Sequence, residues 1–67
     1  MTRYTIATNA KCMSFTAPSA DVAATTFARA QGWPGVETVA AWEAYLRANK
    51  GHGLILEDGG VVASVRK

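Results

Sequence analysis

The sequence predicts an α+β fold, in which a four-stranded antiparallel sheet carries two helices on one face in the order ββααββ. Two observations lead to this fold class. Near each end of the chain, apolar residues alternate with polar ones in two short runs, which is typical of half-buried strands. Between these pairs of runs, apolar residues recur every three or four positions, as in amphipathic helices. Because 67 residues allow only one core, we expect residues 1–67 to form a single compact domain.

The first two strands are predicted from residues 3–8 and 12–17. Tyr4 and Ile6 lie on one side of the first run, and the alternation resumes after a turn-like break at residues 9–11. Two alternating runs separated by a short turn are typical of a β-hairpin. Its outer face is small and hydroxylated. Its inner face is apolar and carries Tyr4, Ile6, Met13 and Phe15.

The first helix is predicted from residues 19–31. Ser19 is a good N-cap, because its hydroxyl can accept a hydrogen bond from a free N–H of the first turn. The negative charge of Asp21 suits the positive end of the helix dipole. Gly32 ends the helix as a residue that tolerates positive φ, and Trp33 follows where a Schellman-type apolar contact falls. The apolar stripe of this helix is Ala20, Ala23, Ala24, Phe27 and Ala30.

The second helix is predicted from residues 36–49, with Thr38 as an acceptable N-cap for a later start. Glu43 and Arg47 are spaced as an i,i+4 pair on the solvent side, and Gly51 is the expected stop. Alanines cover much of the circumference, so this helix is apolar over more of its surface than one contact requires. The apolar positions at helical spacing are Val36, Val39, Ala40, Trp42, Tyr45 and Leu46.

The last two strands are predicted from residues 54–57 and 61–66, which flank Asp58 and Gly59. An Asp-Gly pair between two apolar runs is a strong signal for a type I′ hairpin turn. With a two-residue turn, Leu56 faces Val61 and Leu54 faces Ala63. One face then carries Leu54, Leu56, Val61, Ala63 and Val65, and the other carries Ile55, Val62, Ser64 and Arg66.

The composition limits the function classes. A net charge of +2 permits a nucleic-acid partner without requiring one. Cys12 is the single cysteine and His52 the single histidine, so we expect neither an intramolecular disulfide nor a Cys/His metal site. No signal peptide or membrane-spanning stretch is evident, so we expect a cytoplasmic protein without a membrane partner. So small a core gives marginal stability, which a dimer mate or another partner can reinforce.

No arrangement of residues predicts catalysis. His52 lies between two glycines, where we expect a flexible joint and a solvated side chain. Cys12 is interpreted as a small packing residue, because no neighbour in sequence would activate its thiol. Asp21, Glu43 and Asp58 already have structural roles, and no glycine-rich segment has the context of a phosphate-binding loop. The sequence therefore predicts a non-enzymatic protein that uses no metal and no cofactor.

One alternative is nucleic-acid binding through the outer sheet face. Hydroxyl and basic side chains on a flat sheet can hold a phosphate backbone. Single-strand binders normally add exposed aromatic rings for base stacking, whereas the aromatic residues of this chain are predicted on the core side. The residues of this alternative are Arg3, Thr5, Ser14, Thr16, Ser64 and Arg66, with Lys11 and Lys67 at the margin.

A protein partner is favoured by surplus apolar surface. Ile55 and Val62 are predicted on the uncovered sheet face beside Ala7 and Cys12, where they form a small apolar strip with a polar rim. Trp42 is interpreted either as core or as the anchor of a partner interface. A helix that is apolar over most of its girth normally has a second neighbour, either a homodimer mate or a foreign protein.

Residues 14–33 read S-F-T-A-P-S-A-D-V-A-A-T-T-F-A-R-A-Q-G-W, and they run from a strand through a T-A-x-S sequence into an alanine-rich helix. With the small size and the closing D-G hairpin, this architecture resembles that of compact proteins encoded by phages and other mobile elements, including some anti-CRISPR proteins. The similarity covers about a third of the chain. It implies a stoichiometric inhibitor in the host bacterial cytoplasm, which binds a nuclease complex and blocks target-DNA access or nuclease recruitment.

We therefore predict a small non-enzymatic protein that acts by stoichiometric protein–protein interaction. The alternative is a small nucleic-acid-binding protein that uses the outer sheet face and its basic margin. The partner is a bacterial protein or ribonucleoprotein complex. Contact of basic residues with an acidic protein surface or with guide RNA fits the weakly basic charge. The residues predicted to bind the partner are Arg3, Lys11, Trp42, Tyr45, Arg47, Lys50 and Arg66.

Overall fold

Four strands and two helices follow each other in a computed structural model that describes residues 1–9 and 11–66. The elements are β1 (Thr2–Thr8), β2 (Cys12–Ala17), α1 (Ala20–Gln31), α2 (Val39–Ala48), β3 (Gly53–Glu57) and β4 (Gly60–Val65). The strands form one antiparallel sheet in the order β2-β1-β3-β4, and both helices pack on one face of it. The predicted α+β fold is confirmed. Ala10 of the predicted turn and Lys67 of the predicted margin lie outside the described residues.

The first hairpin has the register that its alternating residues predict. Tyr4 lies opposite Phe15, and Ile6 lies opposite Met13. Tyr4 and Ile6 are buried, and Met13 and Phe15 are partly buried against the same core. These four side chains form the inner face of the hairpin, as predicted.

The caps of α1 are local and follow the predicted pattern. Ser19 Oγ accepts a hydrogen bond from the Val22 N–H at 3.3 Å. Gly32 has a left-handed backbone with φ 77°. The Trp33 N–H then donates to the Ala28 carbonyl at 2.8 Å, which is the long hydrogen bond of a Schellman motif. The predicted start and end of this helix are confirmed.

At the C-terminal end of α1, the buried residues differ from those of the predicted apolar stripe. Ala28 is fully buried, whereas Ala30, predicted for the stripe, is exposed. Ala28 follows the buried Ala24 by four residues and therefore lies on the same face of the helix. The buried residues of α1 are Ala23, Ala24, Phe27 and Ala28.

The second helix starts at the later of the two predicted positions. Thr38 is its N-cap, and the Thr38 Oγ1 accepts a hydrogen bond from the Ala41 N–H at 3.0 Å. At the other end Lys50, and not the predicted Gly51, has the left-handed backbone, with φ 54°. The Gly51 N–H donates to the Leu46 carbonyl at 2.8 Å. The helix therefore also ends in a Schellman motif, with a lysine at its left-handed position.

α2 contacts its own sheet closely at Gly53, the first residue of β3. Trp42 and Leu46 are buried, and a Cβ at Gly53 would lie 2.7 Å from Leu46 Cδ1 and 2.9 Å from Trp42 Cη2. Gly51 and Gly53, which flank His52, are both buried. This segment is therefore a close helix–sheet contact, and the prediction of a flexible joint is wrong.

The second hairpin has the predicted turn. Asp58 and Gly59 have φ values of 48° and 86°, and two successive positive φ values are what a type I′ turn requires. Leu56 lies opposite Val61, as predicted.

Beyond that pair, a β-bulge changes the register of β4. Ile55 lies opposite Ala63, which leaves Val62 as the extra residue. An extra residue reverses the faces of the strand on one side of the bulge. Ala63 and Val65 therefore share the inner face with Ile55, which lies opposite the buried Ile6. Ile55 is fully buried, and the prediction that placed it on the outer face is wrong. Leu54 and Leu56, predicted for the core, lie on the outer face instead.

Candidate functional site

The outer face of the sheet is one candidate surface, because neither helix covers it. Leu54 and Leu56 are half-buried there, while Val61 and Val62 are 65% and 38% exposed. We call these four residues the outer strip. An apolar strip at this place was predicted from Ile55 and Val62. The structure retains Val62 and replaces Ile55 by three other residues, because Ile55 lies opposite the buried Ile6 on the inner face.

The β1–β2 half of the outer face is polar. Thr5 and Ser14 lie opposite each other, and their hydroxyl oxygens are hydrogen bonded at 3.0 Å. Arg3 and Thr16 form the next pair along the strands. Cys12 is an exposed free thiol on this half, so it is not the packing residue that we predicted. This half matches the small, hydroxylated surface predicted from the sequence.

Both helices run toward the end of the sheet that holds the β1–β2 turn. α1 reaches it where the Gln31 side chain donates to the sulfur of Met13 at 3.7 Å. α2 ends at Ala48, shortly before His52. The His52 carbonyl accepts a hydrogen bond from the Asn9 N–H at 3.2 Å, which places the end of α2 near the β1–β2 turn. Two helix C-termini therefore meet the start of β3 and the end of β4 at one end of the molecule.

Charged side chains separate along this axis. All described basic residues except Arg3 belong to this end, which we call the basic end, and all acidic residues except Glu43 lie toward the other. Cations stabilise helix C-termini and anions stabilise N-termini, so this separation complements both helix dipoles. The residues of the basic end are Lys11, Arg29, Arg47, Lys50 and Arg66. The acidic residues of the other end are Asp21, Glu37, Glu57 and Asp58.

At the acidic end, one carboxylate connects the N-termini of the two helices. Asp21 lies in the first turn of α1, and its Oδ1 accepts a hydrogen bond from the Val39 N–H at 2.8 Å. Val39 is the first residue of α2, whose N–H has no partner within the helix. Asp21 therefore acts on both helices, whereas the sequence predicted its role in α1 alone.

A shallow pocket of about 280 Å³ opens at the basic end, and we call it the basic pocket. It is lined by Arg47, Lys50, Gly51 and Arg66, from the end of α2, the turn after it and the end of β4. Among the described residues that line it, none is acidic. The nearest charge compensation is Glu43, whose carboxylate lies 4.0 Å from the Arg47 guanidinium. The Arg47 side chain is 63% exposed, so this ion pair is weak.

The structure brings together three of the residues predicted to bind a partner. Arg47, Lys50 and Arg66 share the basic pocket. Lys11 lies at the same end, where its backbone N–H donates to Thr8 Oγ1 in the β1–β2 turn. Arg3 is separated from this group, because it lies near the other end of the sheet.

The two aromatic residues of that prediction lie elsewhere. Trp42 is 0% exposed, so it belongs to the core and offers no surface to a partner. Its indole Nε1 is buried without a hydrogen-bond partner in the described part of the chain. Tyr45 is half-buried and stacks on Trp33 with ring centroids 4.5 Å apart, and Trp33 contacts Phe27 edge-on at 5.5 Å. These three rings join α1 to α2.

One titratable group of the core has a perturbed environment. Burial raises the pKa of the Tyr4 phenol, and its hydrogen bond to the Glu57 carboxylate at 2.9 Å raises this pKa further. Across residues 1–9 and 11–66, no group of three or more His, Cys, Asp and Glu side chains is placed to hold a metal ion. Neither helix described here has the length and apolar character needed to cross a membrane.

Comparisons of the chain with protein-family models, with curated proteins and with solved structures find no match. Inferences about function therefore depend on the surfaces of the molecule itself, above all the outer strip.

Proposed function

We propose that this protein is a non-enzymatic binding protein, and that its outer sheet face docks on an acidic surface of another protein. The outer strip carries this proposal, because its four apolar side chains are left uncovered by both helices. A contiguous apolar strip with a polar rim is typical of protein interaction sites. Burial of such a strip supplies affinity through the removal of apolar surface from water.

The charges around the outer strip favour an acidic partner. Arg3 lies near one end of the outer face, and the basic end borders it at the other end with Lys11 and Arg66. Two acidic residues, Glu57 and Asp58, lie at the β3–β4 turn beside Leu56 and Val61. Glu57 belongs to the inner face, where Tyr4 donates to it. An acidic surface would therefore meet complementary charge at the basic end of the outer face and be repelled at the β3–β4 turn, which favours one orientation of the partner.

Nucleic-acid binding through the same face is the second candidate. It is favoured by the hydroxyl groups of Thr5 and Ser14 beside Arg3, since such side chains contact phosphates. Base stacking would need exposed aromatic rings, and the aromatic residues of the strands, Tyr4 and Phe15, lie on the inner face. An apolar strip also suits a protein surface better than a phosphate backbone, so the protein partner ranks first.

The architectural resemblance to anti-CRISPR proteins supports the most specific form of this proposal. In that form the protein is phage-encoded, and its partner is a bacterial CRISPR-Cas nuclease complex. A plasmid-interference assay tests it, because an inhibitor expressed in cells with an active complex restores transformation by a targeted plasmid. Unchanged interference would show that the protein does not inhibit that complex. The general proposal of a protein partner would then be tested by the binding experiment below.

The binding experiment compares two variants that carry the same substitution. Val61→Asp places a negative charge in the outer strip, where the side chain is largely exposed and the fold should tolerate it. Val22→Asp makes the same change on α1, at a valine that is 43% exposed on the helical side of the molecule. Tagged wild type and both variants are used to capture proteins from nuclease-treated bacterial lysate, after sedimentation has established the oligomeric state.

We expect a stoichiometric protein that wild type and Val22→Asp capture and Val61→Asp does not. Equal capture by all three proteins would contradict docking through the outer strip. A partner that disappears after nuclease treatment would place nucleic-acid binding first. A dimer that Val61→Asp converts to monomer would identify a second copy of the chain as the occupant.

A further inference from the structure

We propose that a second copy of this chain pairs with the free edge of β4, so that two sheets join into one continuous antiparallel sheet. β4 is an outermost strand, because the strand order is β2-β1-β3-β4. The N–H and C=O groups along the outer side of an edge strand form a template for another strand. This surface is the edge of the sheet, whereas the outer strip lies on its face, so the proposal goes beyond the function proposed above.

The pairing of β3 determines which backbone groups of β4 point outward. The Asp58 N–H donates to the Arg3 carbonyl at 3.0 Å, and successive residues of an antiparallel strand bond to opposite neighbours. Every second residue of β3 from Glu57 to Gly53 therefore bonds to β4, where the partners are Gly60, Ala63 and Val65. Apart from the extra residue of the bulge, the residues that direct their N–H and C=O groups to the free edge are then Val61, Ser64 and Arg66.

These outward groups are open to another strand. Across residues 1–9 and 11–66, no backbone hydrogen bond from a turn, loop or cap reaches residues 60–66. α2 contacts β4 from the inner face, where Ala63 and Val65 are buried. Val61, Ser64 and Arg66 are exposed. The helices therefore leave this edge of the sheet uncovered.

The composition of β4 also favours pairing. Natural proteins protect edge strands with charged side chains, proline or bulges. Residues 60–65 read G-V-V-A-S-V, without a charge or a proline. The bulge at Val62 is a protecting device, and it leaves outward groups on both sides, at Val61 and at Ser64. An uncharged edge strand rich in valine is suited to pair with another strand.

The charges at the two ends of β4 select a second copy as the occupant. Glu57 and Asp58 precede the strand, and Arg66 follows it. In a two-fold antiparallel pair, the end of each strand meets the start of the other, so Arg66 of each copy lies near the acidic turn of the other. Opposite charges stabilise neighbouring strands and like charges destabilise them. One chain therefore carries both halves of a complementary edge.

The outward groups also determine the register of the pair. With Ser64 on the two-fold axis, it pairs with Ser64 of the other copy, and Arg66 pairs with Val61 of the other copy. All the outward groups identified above then have partners. This register places Arg66 beside the strand start that leads back to Asp58 of the other copy, so hydrogen bonding and charge favour the same arrangement.

β2 is the other edge of the sheet, and it suits a second copy less well. Lys11 precedes it and Pro18 follows it, so two-fold pairing would bring no acidic residue to Lys11, and Pro18 has no N–H to extend the ladder. The Thr8 N–H donates to the Lys11 carbonyl at 2.7 Å. By the same alternation, the exposed Ser14 directs its N–H to the free edge. Ser14 on β2 is therefore the counterpart of Ser64 on β4.

The test compares Ser64→Pro with Ser14→Pro. Each variant removes one outward N–H, and proline is tolerated on edge strands where the N–H faces solvent. Sedimentation equilibrium measures the dissociation constant of the dimer, and circular dichroism checks that each variant is folded. A second pair is Arg66→Gln and Arg29→Gln. Both lose one exposed positive charge, but Arg29 lies on α1, away from β4.

We expect wild type and Ser14→Pro to dimerise with similar dissociation constants. Ser64→Pro should dimerise at least about tenfold more weakly, because the hydrogen bonds at the two-fold axis are lost. Arg66→Gln should weaken the dimer by about fivefold, the effect of losing two symmetric surface ion pairs. Arg29→Gln should change it by less than about twofold, as expected for a distant screened charge. Val61→Asp should remain dimeric, because its carboxylate lies beside Arg66 of the other copy.

Four results would overturn the proposal. One is a monomeric wild type at every concentration, and another is a dimer that Ser14→Pro disrupts and Ser64→Pro preserves. The third is equal weakening by Arg66→Gln and Arg29→Gln, a comparison that also decides the outcome if Ser64→Pro fails to fold. The fourth is a dimer that Val61→Asp converts to monomer, which would place the contact on the outer strip. Capture of a foreign protein is measured separately, so edge pairing and docking through the outer strip can each fail alone.

Discussion

Lys50 holds a backbone conformation that suits glycine better than lysine. Its left-handed φ is favourable for glycine and strained for lysine. Replacement by glycine relieves this strain and so increases stability. Part of the gain is lost, because glycine also increases the conformational freedom of the unfolded chain. We therefore predict that Lys50→Gly raises the free energy of unfolding by about 0.5–1 kcal/mol. Urea denaturation measures this change in stability. An unchanged or lower midpoint would show that Lys50 is not strained.

Gly53 is required by the close approach of α2 to the sheet. In Gly53→Ala the new methyl group would meet Leu46, Trp42 and the Ala7 carbonyl oxygen, which is 3.1 Å away. Overpacking of this kind costs about 1–3 kcal/mol. Gly60→Ala is the control, because its Cβ would meet only the Glu57 carbonyl at an ordinary 3.4 Å. Thermal unfolding should separate the two variants, and equal stability would argue against the tight contact.

Tyr4 gives the fold a dependence on alkaline pH. Burial, followed by the hydrogen bond to Glu57, raises the pKa of this phenol above its ordinary 10.0. The folded protein therefore holds the phenolic proton more tightly than the unfolded chain does. This contribution to stability is fully present below about pH 10 and is lost as the pH rises through the folded pKa.

Tyr4→Phe tests this linkage, because it removes the ionisable group and keeps the ring in the core. The stability of the variant should fall less steeply than that of wild type above about pH 10. Urea midpoints measured from neutral to alkaline pH provide the comparison. Parallel pH profiles for the two proteins would show that Tyr4 is not the group responsible.

At the scale of elements, Asp21 couples the starts of the two helices. Its carboxylate accepts from the first N–H of α2 while it lies in the first turn of α1. Loss of a capping carboxylate typically costs about 1 kcal/mol, so Asp21→Ala should lower the stability by at least that amount. Glu37→Ala removes the same charge at the same end without this hydrogen bond. Urea denaturation measures the stability of both variants. A similar loss of stability in both would show that the effect of Asp21 comes from its charge and not from its hydrogen bond.

Elements with local signals were predictable from the sequence. Ser19 and Gly32 define the ends of α1 through contacts within a few residues, and Asp58-Gly59 defines its turn in the same way. The bulge at Val62 depends on how β4 pairs with β3, and no local signal marks it. That one residue explains why Ile55 and Leu56 were assigned to the wrong faces.

The candidate sites follow the same division. Arg47 and Lys50 are three residues apart, so their common place at the end of a helix was visible in the sequence. Arg66 joins them only through the sheet order and the position of α2 on the sheet, which the sequence pattern left open. Trp42 was ambiguous between core and interface, because an apolar helical face looks the same whether its own sheet or a partner covers it.

Over the whole molecule, surfaces with different chemistry are separated. The helices cover the inner face of the sheet and direct their C-termini toward the basic end, while the outer face keeps an uncovered apolar strip. The edge of β4 lies between these two faces, so it and the outer strip can be altered independently, by Ser64→Pro and Val61→Asp.

The most direct test of the central claim is partner capture by Val61→Asp and Val22→Asp, compared after both variants are shown to be as stable as wild type. Docking through the outer strip predicts that Val61→Asp loses at least about tenfold in affinity for the captured protein, because it places an unpaired charge in an apolar contact. Val22→Asp should bind like wild type. Equal affinity of the two variants would contradict the claim that the outer strip is the interface.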